Sequence, residues 1–195
     1  MAVNELPIAY TILEVIVALM AVSGNMLVLI AFMKEKRLRK LTNFYILSLS
    51  TADLLVGLVG VPSAIMTKLG LPENSFEGCM FMLSLLVVLC TISILNLVAV
   101  SLDRYWAILH PFSYHQRITG RAVAGIIISC WVLGLIVGFL PLLGWNSGPD
   151  AGGKCFFVKI MDYNFLVFLY FATIVYPSIL MAFFYGRIYH VVLKQ

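Results

Sequence analysis

The sequence predicts an all-α fold, a polytopic transmembrane helix bundle, and three observations lead there. Of its 195 residues, 62% are hydrophobic and only 11% are charged, with a mean hydropathy of +1.02, so there are too few polar groups to cover a soluble globule of this size. Five apolar runs reach the roughly 20 residues that a helix needs to cross hydrocarbon. The runs mix Leu, Val, Ile and Phe without two-residue alternation. In lipid the backbone must satisfy its own hydrogen bonds, so helices are expected rather than a barrel.

The runs follow in order along one domain, 1–195, without repeats or low-complexity stretches. The first, 8–33, is as long as a spanning helix, and no basic region precedes it, so it is expected to stay as an anchor and not be cleaved as a signal peptide. The second, 42–68, carries Asp53 within it and Pro62 near its outer end. The third, 76–109, runs from Cys79 to the charged triplet Asp103-Arg104-Tyr105. The fourth, 122–143, holds Trp131, with Pro141 near its end, and Pro62 and Pro141 both read as possible helix-end features. The fifth, 162–192, contains Pro177 in mid-span, where the missing N–H leaves the Thr173 carbonyl unbonded and predicts a kink or bulge.

Charge orients the bundle. Lys34, Lys36, Arg37, Arg39 and Lys40 crowd the first connection against Glu35, and Arg104, Arg117 and Arg121 bracket the third. Glu5, Glu73, Glu77, Asp150 and Asp162 fall on the other side. The positive-inside rule then places the N-terminus outside and the C-terminus inside. The net charge of +4 follows from this bias and from attraction to anionic lipid, and it gives no reason to invoke nucleic acid.

Cys79 lies at the outer end of the third run and Cys155 in the following outer loop, so both meet an oxidising compartment and are expected to pair. Cys90 and Cys130 lie inside spans and read as small buried hydrophobes, and no cysteine spacing suggests a transition-metal site.

Polar groups in hydrocarbon are costly and turn toward the bundle interior. Asp53 follows Thr42 by eleven positions and Ser93 precedes Arg104 by eleven, so both lie about 16 Å from the inner helix ends, and Asn25 lies at about 14 Å. Three helices thus bring a polar group to one level. Asp53 is either a protonated, hydrogen-bonded strut or an ionised ligand for a small hard cation such as sodium. Glu14 precedes Asn25 by eleven residues and shares its face, as the polar edge of an outer cavity or as an interhelical hydrogen-bond partner. Arg104 can hold a neighbouring acid in one packing and release it in another, or simply snorkel, and Tyr185 is expected to offer its hydroxyl to the same inner cavity.

Taken together, Gly24-Asn25, Leu49-Ser50-Thr51-Ala52-Asp53, Cys79 with Asp103-Arg104-Tyr105, Trp131, and Pro177 with Tyr185 resemble the rhodopsin-like G protein-coupled receptors. Within them the chain looks most like the adenosine receptors, through Glu14, the run Leu140-Pro141-Leu142-Leu143-Gly144-Trp145-Asn146, and Phe157 two residues after Cys155. That resemblance implies a plasma-membrane receptor that binds an extracellular nucleoside and engages a heterotrimeric G protein. It implies that Phe157 stacks on the purine, Leu86, Val87 and Cys90 line the cavity, Glu14 supports its polar edge, and Asp53 with Ser93 holds sodium. Val158, Cys90 and Thr91 depart from the family's usual residues, and either Leu169 or Tyr170 takes the position of the family's fifth-helix asparagine.

Leu86 stands where amine receptors carry an aspartate, so a cationic amine finds no partner, and a lipid or other neutral ligand is the alternative. The family has seven helices and the chain reads as five of an incomplete set, a fragment or truncated form. Such a form is expected to bind and signal poorly by itself, or to modulate full-length receptors. A channel or transporter needs a polar path through the membrane, whereas the polar groups here form a layer. A retinal pump needs a lysine deep in a span. His110, His115 and His190 lie at inner edges without a nucleophile or ligand constellation, so no enzyme is expected.

Overall fold

A computed structural model describes residues 2–69, 75–148, 155 and 157–193, with side chains described except for residues 2–7 and His115. Glu73 and Asp150, used above for orientation, lie outside the described residues, as does the side chain of Glu5.

Among the described residues, five helices are long and apolar enough to cross a membrane: Ile8–Lys34, Asn43–Lys68, Phe76–Leu109, Gly120–Phe139 and Tyr163–Val192. Polar side chains start three of them or their first turns. Ser75 Oγ accepts from Gly78 N, Thr119 Oγ1 from Ala122 N, and Asp162 Oδ1 from Asn164 N and Phe165 N, which satisfies amides that have no helical partner.

The fourth helix ends at Phe139 and not at 143, and Pro141 is the reason. Proline has no N–H for the Val137 carbonyl, which instead accepts from Leu140 N at 3.4 Å as the chain turns. Gly144 adopts φ 113°, a left-handed conformation suited to glycine, and Asn146 Nδ2 bonds back to the Pro141 carbonyl at 2.7 Å. The helix also starts earlier than the sequence suggests, at Gly120.

The other two proline-bearing helices widen in place of ending. Val56–Gly60 and Phe171–Val175 are π-helical segments, and each contains the carbonyl that the following proline cannot bond, Leu58 before Pro62 and Thr173 before Pro177. Pro62 is therefore a mid-helix distortion and not a helix-end feature, while Pro177 produces the expected bulge.

The third helix is the hub, packing on the second, fourth and fifth. At its Cys79 end, Met80, Leu83 and Val87 form a core with Ile160, Met161 and Phe165, closed by the disulfide to Cys155. In the middle, Ala52, Val88 and Ile92 meet Trp131 and Phe139. At the Arg104 end, Tyr45, Ala99, Val123 and Cys130 form a third cluster. A short helix, Pro111–Arg117, not foreseen from the sequence, caps that end.

Candidate functional site

Three polar or ligand-sized sites lie along the third helix. At the Cys79 end, Leu86, Val87, Cys90, Thr91 and Ile94 face Phe157, Leu169 and Thr173 across a cleft of about 190 Å³. The disulfide brings Cys79 and Cys155 to a Cα separation of 5.8 Å and so pins the segment carrying Phe157 over the third helix. Four of the five residues expected to line a ligand cavity thus meet in one place. Of the two candidates in the fifth helix, Leu169 lines the cleft, and Tyr170 is exposed.

Glu14 is not in the cleft lining. It pairs across helices with Lys68, Oε1 to Nζ 2.5 Å, and that ammonium also lies 4.2 Å from the centre of the Tyr10 ring. Glu14 is therefore the interhelical partner of the two roles expected for it. The opposite charges at the same end of adjacent antiparallel spans were the signal, but pairing also needs their rotation about the helix axes.

At mid-depth, Ser93 Oγ donates to Asp53 Oδ1, joining the second and third helices. Asn25, expected at that level, does not join the bond: its Nδ2 donates to Ala21 O of its own helix at 2.9 Å. The first and second helices touch just above, where Gly57 lets Val22 and the Ala18 carbonyl approach. One turn beyond Ser93, Asn96 is 0% exposed, with Nδ2 on Ile92 O and Oδ1 unpartnered, and Trp131 Nε1 donates to Ser48 Oγ at 3.0 Å. Carboxylate, hydroxyl and amide oxygens make up the donor set a hard cation takes. Asp53 and Ser93 bring a carboxylate and a hydroxyl oxygen of that kind together.

At the Arg104 end, Tyr114 Oη donates to Asp103 Oδ1 at 2.7 Å and shares a 2.9 Å hydrogen bond with Thr42 Oγ1. One phenol thus ties the loop helix to the second and third spans. Burial, more than any other cause, pushes the Tyr114 hydroxyl pKa up, and the bond to Thr42 partly offsets this. Arg104 forms no ion pair with a described residue. Tyr105 packs on Phe184 and Phe183 of the fifth helix, at ring separations of 5.1 and 6.3 Å. Tyr185, expected to reach the same inner cavity as Arg104, is 53% exposed. Tyr114, Thr42, Asn96 and Ser48 escaped the sequence reading, because single hydroxyls and amides carry no motif.

Residues 24–195 match the family model described as "7 transmembrane receptor (rhodopsin family)". The chain belongs to the rhodopsin family of seven-transmembrane receptors. Within this receptor family it is similar to the adenosine receptor A2b of Gallus gallus, 32% identical over 98% of this chain and 62% of that protein. It also resembles the Homo sapiens receptors, A2b at 34% identity over 95% of the chain and 61% of that protein, and A2a at 34% over 95% and 48%. The chain therefore spans about three fifths of the A2b relatives and about half of A2a. Family membership and the five long apolar helices make it a multi-pass membrane protein.

Proposed function

We propose that this chain forms the ligand wall and the switch region of a plasma-membrane receptor for an extracellular nucleoside, adenosine by likeness to the A2a and A2b receptors, with its N-terminus outside. The observation that carries the reading is the cleft in which Leu86, Val87 and Cys90 meet Phe157 from the disulfide-pinned segment. A flat neutral base suits it, because apolar walls and one aromatic face gain from stacking and burial without demanding a counter-charge. Asp53 and Ser93, with Asn25 at their level, hold sodium as an allosteric ligand. Asp103, Arg104, Tyr105 and Tyr185 face a heterotrimeric G protein.

The test is a chimera that joins residues 1–195 to the remaining part of an A2b receptor. Saturable binding of a radiolabelled adenosine agonist and agonist-driven nucleotide exchange are expected. Phe157→Ala should weaken binding roughly tenfold or more, the effect of losing one aromatic stack and its buried area. A chimera that reaches the cell surface yet binds no nucleoside, or binds it equally well without Phe157, refutes the reading.

A further inference from the structure

A single oxygen joins the two sides of the loop that carries Phe157. Asp162 Oδ1 accepts from Trp145 Nε1 at 3.1 Å, across 17 positions of the chain, and from Asn164 N and Phe165 N of the fifth span at 2.8 and 3.2 Å. Helix capping accounts for the last two bonds. The bond from Trp145 does something else, because it ties the chain leaving the fourth span to the entry of the fifth. Beside it, Ser147 N donates to Ile160 O at 2.9 Å. The Trp145 ring also stacks on Phe168, centres 5.6 Å apart, and meets Phe165 edge to face at 5.5 Å.

Phe157 lies between two anchors. Cys155, two residues before it, is bonded to Cys79, and Asp162 follows it by five. From Phe157 to Ile160 the chain makes one helical turn, with Met161 N on Phe157 O at 3.1 Å. A disulfide at one end fixes where such a turn sits but leaves it free to swivel. Ile160 and Met161 are buried in the core with Met80 and Leu83, yet apolar burial has no direction. Hydrogen bonds have one. The bond from Trp145 to Asp162, with that of Ser147 beside it, therefore sets the rotation of the turn. Asp162 also leads the helix in which Leu169, seven residues and about two turns on, lines the same cleft.

We propose, on the nucleoside reading of the cleft, that Asp162 is a positioning residue for the ligand: by holding Trp145 and the fifth span on one oxygen, it fixes the plane in which Phe157 meets a flat base. Asp162 is not in the cleft lining, so it acts through Phe157. Stacking needs an offset arrangement with ring centres about 4.5–7 Å apart, and a swivelled ring keeps its burial but loses the stack.

The first measurement needs no ligand and uses the 195-residue chain in lipid nanodiscs with p-benzoylphenylalanine in place of Phe157. Photocross-links, located by mass spectrometry, are expected at Leu86, Val87 or Leu169 of the cleft wall. Trp145→Phe keeps an aromatic ring and the helix cap but removes the N–H. It should cut the cross-link yield by about half or more, since one net hydrogen bond shifts an equilibrium by a factor of about two to ten. Asp162→Ala should do the same, and Asp162→Asn, whose Oδ1 still accepts, should preserve the yield. The second measurement is nucleoside affinity in the chimera with the remaining part of an A2b receptor. Trp145→Phe and Asp162→Ala should each weaken binding about fivefold, within the roughly tenfold carried by the Phe157 stack. Neither should weaken it further once Phe157→Ala is present. Cross-links unchanged by Trp145→Phe, which leaves the cap intact if Asp162→Ala does not fold, overturn the proposal, as do losses of affinity that add to that of Phe157→Ala. A chimera that binds no nucleoside refutes the reading of the cleft alone, because the cross-links still decide the positioning.

Discussion

A Cβ atom on Gly138 would stand 2.5 Å from the backbone nitrogen of Val88, so the fourth helix touches the third with no room for a methyl group. One turn earlier, a Cβ on Gly134 would stand 3.1 Å from the nitrogen of Ile92. Small residues four apart let two helix backbones approach closely in lipid, where packing must replace the hydrophobic effect. Gly138→Ala is therefore expected to destabilise the bundle by about 1–3 kcal/mol, the usual cost of overpacking. Thermal melting in nanodiscs would check this. Gly125→Ala, where the added Cβ meets nothing within 4 Å, serves as the control and should leave the melting temperature almost unchanged.

The bridge between Cys79 and Cys155 links positions 76 apart. Closing so long a loop removes denatured-state freedom worth about 2–4 kcal/mol. Reductant, or Cys79→Ala with Cys155→Ala, should lower the melting temperature and raise hydrogen exchange over 157–165 first. Unchanged exchange there would show that the core around Phe165 holds the segment without the bridge.

Tyr114→Phe removes a hydroxyl that serves both Asp103 and Thr42, and about 1–3 kcal/mol of local stability should go with it. Hydrogen exchange across the Pro111–Arg117 helix is the direct readout. The pH dependence has a definite sign. The folded-state pKa of Tyr114 is raised by burial. Its contribution is therefore fully present below the ordinary tyrosine value of about 10 and is lost as pH climbs through the higher folded value. The wild-type chain should show this alkaline loss, and Tyr114→Phe should reduce it.

The Lys68 side chain is 42% exposed and that of Glu14 is 21% exposed, so solvent screening keeps their coupling below about 1 kcal/mol. The asymmetry is more informative than the size. Glu14 Oε2 is buried without a partner, so Lys68→Met should destabilise more than the double change Glu14→Gln with Lys68→Met. A double-mutant cycle on melting temperature measures the difference. Additive effects would remove the pair as an interhelical clamp.

Much of the architecture could be read from the chain. The second, third and fifth spans fall within a residue or so of where the apolar runs place them. The fourth was overrun at Pro141, because hydropathy continues through Leu142 and Leu143 while the backbone turns. Counting rise per residue brought Asp53 level with Ser93, and the two are bonded. The same counting placed Asn25 at that depth but could not say that its amide turns back to Ala21. Depth needs only rise, whereas bonding needs rotation as well.

The sequence by itself determined that the chain spans the membrane five times among its described residues, which residues lie at mid-depth, and which cysteines can meet. These are one-dimensional properties, because a peptide in hydrocarbon must bond to itself and so becomes a helix whose length and depth can be counted. Only the tertiary structure decided that Lys68 pairs with Glu14, that Tyr114 joins Thr42 to Asp103, and that Leu86, Val87 and Cys90 of the third helix meet Phe157 across one cleft. Those pairings depend on how each helix is rotated, and rotation is set by contacts such as Gly138 on Val88, formed only when distant parts of the chain are packed side by side.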